Sequence, residues 1–135
     1  MSVVANFKEA LSMATADGGL LEITTIECDG VPVKAFAQAP GSMRDLWALS
    51  TGHGDAEYLI YGEERWTYTQ TAKVVAEFGG WLMEQGVGPG DHVAIAMRNY
   101  PEWMMAHWAV NSIGAAIVGM NAWWAADEMD YALTS

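Results

Sequence analysis

Three histidines, a single cysteine and an acidic cluster are the residues of this chain whose types could carry chemistry. His53, His92 and His107 are scattered, and no H-E-x-x-H or similar ligand spacing joins them, so a histidine metal site is not expected. His107 falls beside an apolar stripe and reads as a packed, hydrogen-bonded core histidine rather than a catalytic base. Cys28 has no histidine near it in sequence and reads as a structural or partly exposed thiol, not a nucleophile. Being alone, it cannot close an internal disulfide, which excludes a secreted disulfide scaffold. Asp127, Glu128 and Asp130 read as the solvated start of a helix, favoured by the helix dipole, rather than as a paired-carboxylate acid–base site. The run Gly86-Val87-Gly88-Pro89-Gly90 has the glycines of a nucleotide loop. It precedes an apolar run, whereas a dinucleotide fingerprint follows a strand and opens a helix. It is therefore a tight turn, with Asp91 as its polar end.

The elements that would position these side chains follow from local signals. Phe7, Ala10, Leu11 and Ala14 fall at helical spacing, and Gly18-Gly19 would end such a helix. Leu21, Ile23 and Ile26 precede Asp29-Gly30, and Val31, Val33 and Phe36 follow. That is a hairpin with a type I′ turn, with Pro32 marking an edge strand. Ser42 and Asp45 have capping-box spacing, with Met43, Leu46, Trp47 and Leu49 as the apolar face of a short helix. Residues 50 to 55 form a turn or linker. A second hairpin runs through Tyr58–Tyr61, a three-residue connection Gly62-Glu63-Glu64, and Arg65–Tyr68. Thr67 and Gln70 then cap a helix whose face is Ala72, Val75, Ala76, Gly79, Leu82 and Met83, ending at Gly86. The Gly79-Gly80 pair weakens this helix and points to a close neighbour.

His92 to Met97 reads as a buried strand. Asn99 and Glu102 give another capping signal, with Pro101 in the first turn. The helix that follows carries Trp103, Met104, Ala106, His107, Val110 and Ile113, and Gly114 stops it. Ala115 to Gly119 is a second apolar strand. Strand, helix and strand make a βαβ unit with parallel strands and a right-handed crossover. Parallel strands need cover on both faces, and the Thr67–Gln85 helix is the natural second cover. A further helix starts at Asp127.

Bulk properties narrow the class. Hydrophobic residues make up 52% and charged residues 17%, too apolar for a disordered chain. A net charge of -11 repels phosphate backbones and anionic membranes, so nucleic-acid binding is not expected. No signal peptide pattern opens the chain. No window reaches about 18 uninterrupted apolar residues, so no transmembrane segment is expected. A cytoplasmic location follows.

The run from Tyr58 to Ser135 resembles the start of the AMP-binding domain of the adenylate-forming (acyl-CoA synthetase) superfamily. Three phrases carry the resemblance, in order. Trp66-Thr67-Tyr68 opens a helix ending at Gly86-Val87. Gly90-Asp91 precedes a strand and then Arg98-Asn99-Tyr100-Pro101-Glu102-Trp103. Gly114-Ala115-Ala116-Ile117-Val118 leads to Asn121-Ala122-Trp123-Trp124. The phrases Asn99–Trp103 and Asn121–Trp124 look most like bacterial fatty-acid CoA ligases, and Val31 to Arg44 looks like their lead-in. The sequence departs from the family where Ala125, Ala126 and Asp127 replace a polar cap and a proline, and where Gly119 replaces a common proline.

The resemblance implies an α/β fold. It would be the N-terminal part of an adenylate-forming enzyme's large domain, with β-hairpins, a covering helix and a parallel βαβ unit. Residues 1–57 would be a lead-in and 58–135 the start of the AMP-binding domain, truncated and incomplete as a domain. The implied full-length enzyme is an acid–thiol ligase using ATP, Mg²⁺ and coenzyme A on a carboxylic acid, with fatty acid expected. Its phosphates need a loop rich in Ser, Thr and Gly followed by Lys, and its adenylation needs a lysine. The nearest phrase, Ser50-Thr51-Gly52-His53-Gly54, has no lysine and lies on the wrong side of the hairpin. No catalytic, cofactor-binding or metal residue is therefore assigned, none of the cofactors is expected on this segment, and the chain alone is expected to be inactive. Its expected partner is the remainder of its own adenylation domain. Trp123-Trp124 would pack against that remainder, or else border an acyl site or a subunit interface; either way apolar surface is exposed, and a homo-oligomer stays open. Two other readings compete. One is a stand-alone interaction or regulatory module derived from the same family. The other is a small Rossmann-like nucleotide binder, which lacks its glycine loop.

Overall fold

Local capping signals set the starts of two of the helices. The computed structural model describes residues 3–19 and 21–134, so Ser135, the last residue of the resembling run, lies outside the described residues. The chain forms two compact units that divide between Gly41 and Ser42. In the first, helix α1 (Val3–Thr15) ends where Gly19 N–H donates to Ala16 O and Leu21 N–H to Ala14 O. Strands β1 (Ile23–Cys28) and β2 (Val31–Phe36) pair antiparallel, with Ile26 opposite Val33 and Cys28 opposite Val31. Asp29 (φ 50°) and Gly30 (φ 77°) supply the two positive φ angles of the type I′ turn.

The second unit begins with helix α2 (Met43–Ser50), capped by Ser42. The Asp45 carboxylate accepts from the Ser42 hydroxyl at 2.8 Å instead of from the backbone, so only half of the capping box forms. Of the four apolar residues expected to be its face, Trp47 alone is buried; Met43, Leu46 and Leu49 are exposed. Residues 51–53 form a short 3₁₀ turn. Although α2 lies within residues 1–57, Trp47 anchors it to the elements that follow. Strands β3 (Glu57–Tyr61) and β4 (Glu64–Thr67) form the second hairpin. Its connection is two residues, not three, because Tyr61 pairs with Glu64 and Gly62 (φ 57°) takes the first turn position.

Helix α3 (Tyr68–Glu84) has the full capping box at Thr67 and Gln70. Its buried stripe is Thr71, Val75, Gly79 and Leu82; Ala76 and Met83, expected on that face, are exposed. Gly79 is the close approach: a Cβ there would sit 3.5 Å from Ile113 Cγ2 and 3.6 Å from Ala109 O. Strands β5 (His92–Ala96) and β6 (Ala116–Met120) pair parallel, joined by helix α4 (Pro101–Ser112). Helix α5 (Ala126–Thr134) follows.

Three further expectations are corrected. The α4 N-cap is Tyr100, without a side-chain cap bond, because Pro101 takes the first helical position and leaves Asn99 outside. Strand β5 is not buried on both faces; only Ile95 is fully covered. Helix α3 does not cover the second face of the parallel pair. Its Leu82 and Phe78 join Val110 and Ile113 of α4 over Val93 and Ile117, while Ala94, Ala96 and Ala116 on the other face stay exposed. The α3 stripe is used against α4, at the Gly79 approach, so both helices share one side. A second cluster, built on Trp47, Val75, Met105, Trp108 and Ala109, ties α2 and the β3–β4 hairpin to the same helix pair.

Candidate functional site

The βαβ unit places a cleft at the carboxyl ends of β5 and β6, where open α/β sheets collect ligands. Arg98 and Asn99 leave the end of β5, and Asn121 and Trp123 leave the end of β6. The cleft measures ≈ 670 Å³, and Trp103 of α4 and Trp124 complete its walls. The Arg98 guanidinium lies 4.1 Å from the ring centroid of Trp123, a cation–π contact on an indole that is 74% exposed. Asn121 holds that turn by accepting the Trp123 N–H at 3.0 Å. Asn99 and Trp103 also line an adjoining apolar trough of ≈ 310 Å³ bounded by Leu59, Ile60, Tyr100 and Met104. Tyr61 meets Tyr100 edge-on at 5.4 Å and closes the hairpin onto the α4 start.

The histidines are not brought together. His53 leans on Tyr68 at 5.0 Å, and His92 begins β5. His107 stacks on Trp103 at 5.6 Å and meets Trp108 edge-on at 5.1 Å. It is packed, as expected, but its Nδ1 is buried without a hydrogen-bond partner, contrary to expectation. Burial lowers the His107 pKa from its ordinary 6.5. The folded state therefore binds the proton less well than the unfolded chain. The neutral ring's contribution is complete above pH 6.5 and is lost as pH falls from there through the lowered pKa. Urea midpoints at pH 8 and pH 5.5 should show a larger acid-side loss for the native chain than for His107→Phe, which keeps a stacking ring and cannot charge. Equal losses would remove His107 from the acid response.

Asp127, Glu128 and Asp130 sit on the exposed first turns of α5. Glu128 is engaged there, accepting the Ala125 N–H at 2.7 Å, so it replaces half of the missing polar cap. The Gly86–Asp91 turn is closed by Asp91, whose carboxylate accepts the Gly88 N–H at 2.8 Å. Cys28 is exposed. Among the described residues, no group of three or more His, Cys, Asp or Glu is placed to hold a metal ion.

Residues 46–135 match the AMP-binding enzyme family, which is about two thirds of the chain. The chain belongs to that family. It is similar to YngI of Bacillus subtilis (strain 168), which carries an acyl-CoA synthetase name. The two are 37% identical over 92 residues, covering 67% of this chain and 17% of YngI. It is 37% identical over 68 residues to the medium/long-chain-fatty-acid–CoA ligase FadD6 of Mycobacterium tuberculosis (strain ATCC 25618 / H37Rv), covering 50% of this chain and 11% of FadD6. The fold is that of the Klebsiella oxytoca NpsA N-terminal subdomain solved with anthranilyl-AMSN. The TM-score is 0.65 at 24% identity, over 69% of this chain and 24% of that one. This AMP-binding family member thus spans less than a quarter of each of these proteins. Its fold is α/β, and it corresponds to an N-terminal segment of an adenylate-forming enzyme.

The donor set of the described residues does not fit the Mg²⁺ that the resemblance implies. Its three clustered carboxylates lie on an exposed helix face, one of them already bonded to the backbone. The sequence reading singles out Trp123 as packing against the remainder or bordering an acyl site; Arg98 and Trp103 stand only within the resembling phrases, with no role at a site. Their signal was position: Arg98 and Trp123 lie just past the carboxyl ends of the two parallel strands, and Trp103 lies in the first turn of the crossover helix.

Proposed function

We propose that this chain is the opening part of the large domain of an ATP-dependent acyl-CoA ligase. The reaction would be adenylation of a carboxylic acid, releasing pyrophosphate, followed by displacement of AMP by the coenzyme A thiolate. Fatty acid is the proposed substrate class and the cytoplasm the proposed compartment. The observation that carries the reading is the match over residues 46–135 combined with 37% identity to proteins named as acyl-CoA synthetase and fatty-acid–CoA ligase. ATP, Mg²⁺ and coenzyme A belong to the whole enzyme, and the rest of the adenylation domain is this segment's partner. The chain has no Ser/Thr/Gly-rich loop followed by Lys, so alone it holds no phosphates for adenylation. No helix of the described residues is long and apolar enough to cross a membrane.

Two assays test this. The chain alone is expected to give no acid-dependent ATP–pyrophosphate exchange; turnover by it alone would overturn the assignment of the chemistry to other sequence. The whole enzyme carrying this segment is expected to convert alkanoate, ATP and coenzyme A to a thioester and AMP. A second reading, an adenylation domain of a peptide synthetase, is favoured by similarity to an adenylation–carrier-protein fusion containing NpsA (26% identity, TM-score 0.60). Exchange driven by amino or aryl acids with no coenzyme A thioester formed would favour it over the ligase.

A further inference from the structure

We infer that the outer edge of β1 is a self-association edge. There β1 of a second copy of this chain adds antiparallel, about a two-fold axis at Thr25, and the two hairpins become one four-stranded sheet.

The hairpin alone is under-packed. No residue of β1 or β2 is buried, and only Thr24 and Ala35 are half-buried. Ile26 and Val33 stand side by side on one face at 48% and 38% exposure, and Ile23 and Phe36 on the other at 45% and 52%. A two-stranded hairpin without a packed face is marginal in water, and further strands stabilise it.

The phase of the ladder decides which edge is open. Ala37 N–H donates to Glu22 O at 2.8 Å, and these two residues continue the register in which Ile23 faces Phe36. Bonded and non-bonded pairs alternate in an antiparallel ladder, so Thr24–Ala35, Ile26–Val33 and Cys28–Val31 are the bonded pairs. Ile23, Thr25 and Glu27 on β1, and Pro32, Lys34 and Phe36 on β2, turn their backbone groups outward. The β2 edge is closed. Pro32 has no N–H, Ala39 N–H already donates to Phe36 O at 3.1 Å, and Lys34 sets a charge between them. The β1 edge has no such block. Among the described residues, no turn or loop bond occupies the N–H or C=O of Ile23, Thr25 or Glu27.

A second copy fits this edge. With the axis at Thr25, Thr25 faces the second copy's Thr25 and Ile23 faces its Glu27, so every outward N–H and C=O of β1 is used. Ile26 and the second copy's Ile26 fall diagonally on one face, which joins the two apolar pairs into a band. Glu27 and Lys34 are the charges of the two strands, one of each sign, so no like charges face each other across the new pairing, although the chain as a whole stands at -11. At the ends of the pairing Glu22 comes near the second copy's Asp29, but its carboxylate is drawn back onto Gly18 N–H at 3.0 Å. That contact and the net charge oppose association, so added salt should tighten it.

Sedimentation equilibrium of the chain is expected to show a monomer–dimer equilibrium that tightens with sodium chloride. Thr25→Pro removes the N–H at the axis and should weaken the dimer on the order of 10-fold or more. Lys34→Pro makes the same change on the directly opposite residue, whose N–H also points outward, and should leave the affinity as in the native chain. The tryptophans all lie in the second unit, so near-UV circular dichroism checks that unit in each variant, and far-UV spectra check the whole chain. Thr25→Cys combined with Cys28→Ser sets two thiols across the axis at a Cα separation of about 5.5 Å, within disulfide range. Exchange with oxidised glutathione releases two glutathiones for each interchain disulfide formed. It should link this variant on the order of 100-fold faster than the native chain, whose paired copies hold their Cys28 residues about 20 Å apart along the ladder. A chain that stays monomeric, its β1 edge left for a strand from the rest of the adenylation domain, would overturn the pairing. So would equal losses in Thr25→Pro and Lys34→Pro, or native Cys28 linking as fast as Thr25→Cys. None of these measurements involves adenylation, so failure of the ligase reading and failure of this edge are separate results.

Discussion

Trp108→Ala is expected to lower the stability of the chain by about 3–5 kcal/mol, the largest single-residue effect in the structure. Trp108 is 9% exposed and sits where α2, α4 and the β3–β4 hairpin meet. Its ring stacks on Trp47 at 5.0 Å with an interplanar angle of 18°. Its Nε1 donates to the Tyr58 hydroxyl at 2.6 Å, and Tyr58 in turn stacks on Tyr68 at 4.4 Å. Truncation removes the ring that all three elements touch and leaves a cavity too large for the neighbours to fill. Against a total of about 5–15 kcal/mol, such a loss is a large fraction of the chain's stability. Trp108→Phe separates the causes. It keeps most of the apolar area and deletes the N–H, so it should cost about 1 kcal/mol for the lost hydrogen bond, plus the smaller ring's packing loss. Denaturant midpoints with near-UV circular dichroism measure both. If Trp108→Ala were no worse than Trp108→Phe, the stacked ring would not be what joins α2 to α4.

The features legible in sequence are those settled within one turn of chain. Thr67 and Gln70 announce α3 because both halves of the capping box are local, and both form, at 3.1 and 2.9 Å. Asp29-Gly30 announces the first hairpin for the same reason. The core of α4 was not legible. Its sequence, PEWMMAHWAVNS, is apolar on nearly every face, so periodicity cannot choose between Met104 and Met105 or between His107 and Trp108. Only the arrival of α3 at Gly79 and of Trp47 from α2 decides it. The α4 start misled because Asn99 and Glu102 have cap spacing, while Pro101 fixes the first helical position one residue later than that spacing needs. The cleft was illegible for a different reason. Arg98 and Trp123 are separated by a helix and a strand, and parallel pairing of β5 with β6 brings them within 4.1 Å.

Gly114→Ala is expected to cost about 2–4 kcal/mol, from two effects that a companion variant resolves. Helices α3 and α4 end alike. Gly86 N–H donates to Met83 O at 3.0 Å and Val87 N–H to Leu82 O at 3.0 Å; Gly114 N–H donates to Asn111 O at 3.1 Å and Ala115 N–H to Val110 O at 3.2 Å. Both are Schellman closures, and each next residue packs in the cluster of Leu82 and Val110. Both glycines need positive φ, 88° and 84°. Any L side chain there pays a backbone cost of about 1–2 kcal/mol. The surroundings differ. A Cβ at Gly86 meets nothing within 4 Å, but one at Gly114 would lie 3.2 Å from Pro89 Cγ and 3.3 Å from Pro89 Cβ. The ring cannot retreat freely, because Gly90 N–H is bonded to Gly114 O and Ala116 N–H to Asp91 O, which tie the Pro89 turn to the start of β6. Gly86→Ala should therefore show the backbone cost alone, and Gly114→Ala that cost plus the collision. Adding Pro89→Gly should recover part of the Gly114→Ala loss in a double-mutant cycle on denaturant midpoints. Equal losses for the two single variants, with no coupling to Pro89, would show that the β5 turn does not brace the end of α4. The amino ends of β5 and β6 would then be registered by strand pairing, from His92 opposite Ala116 onward, without that brace.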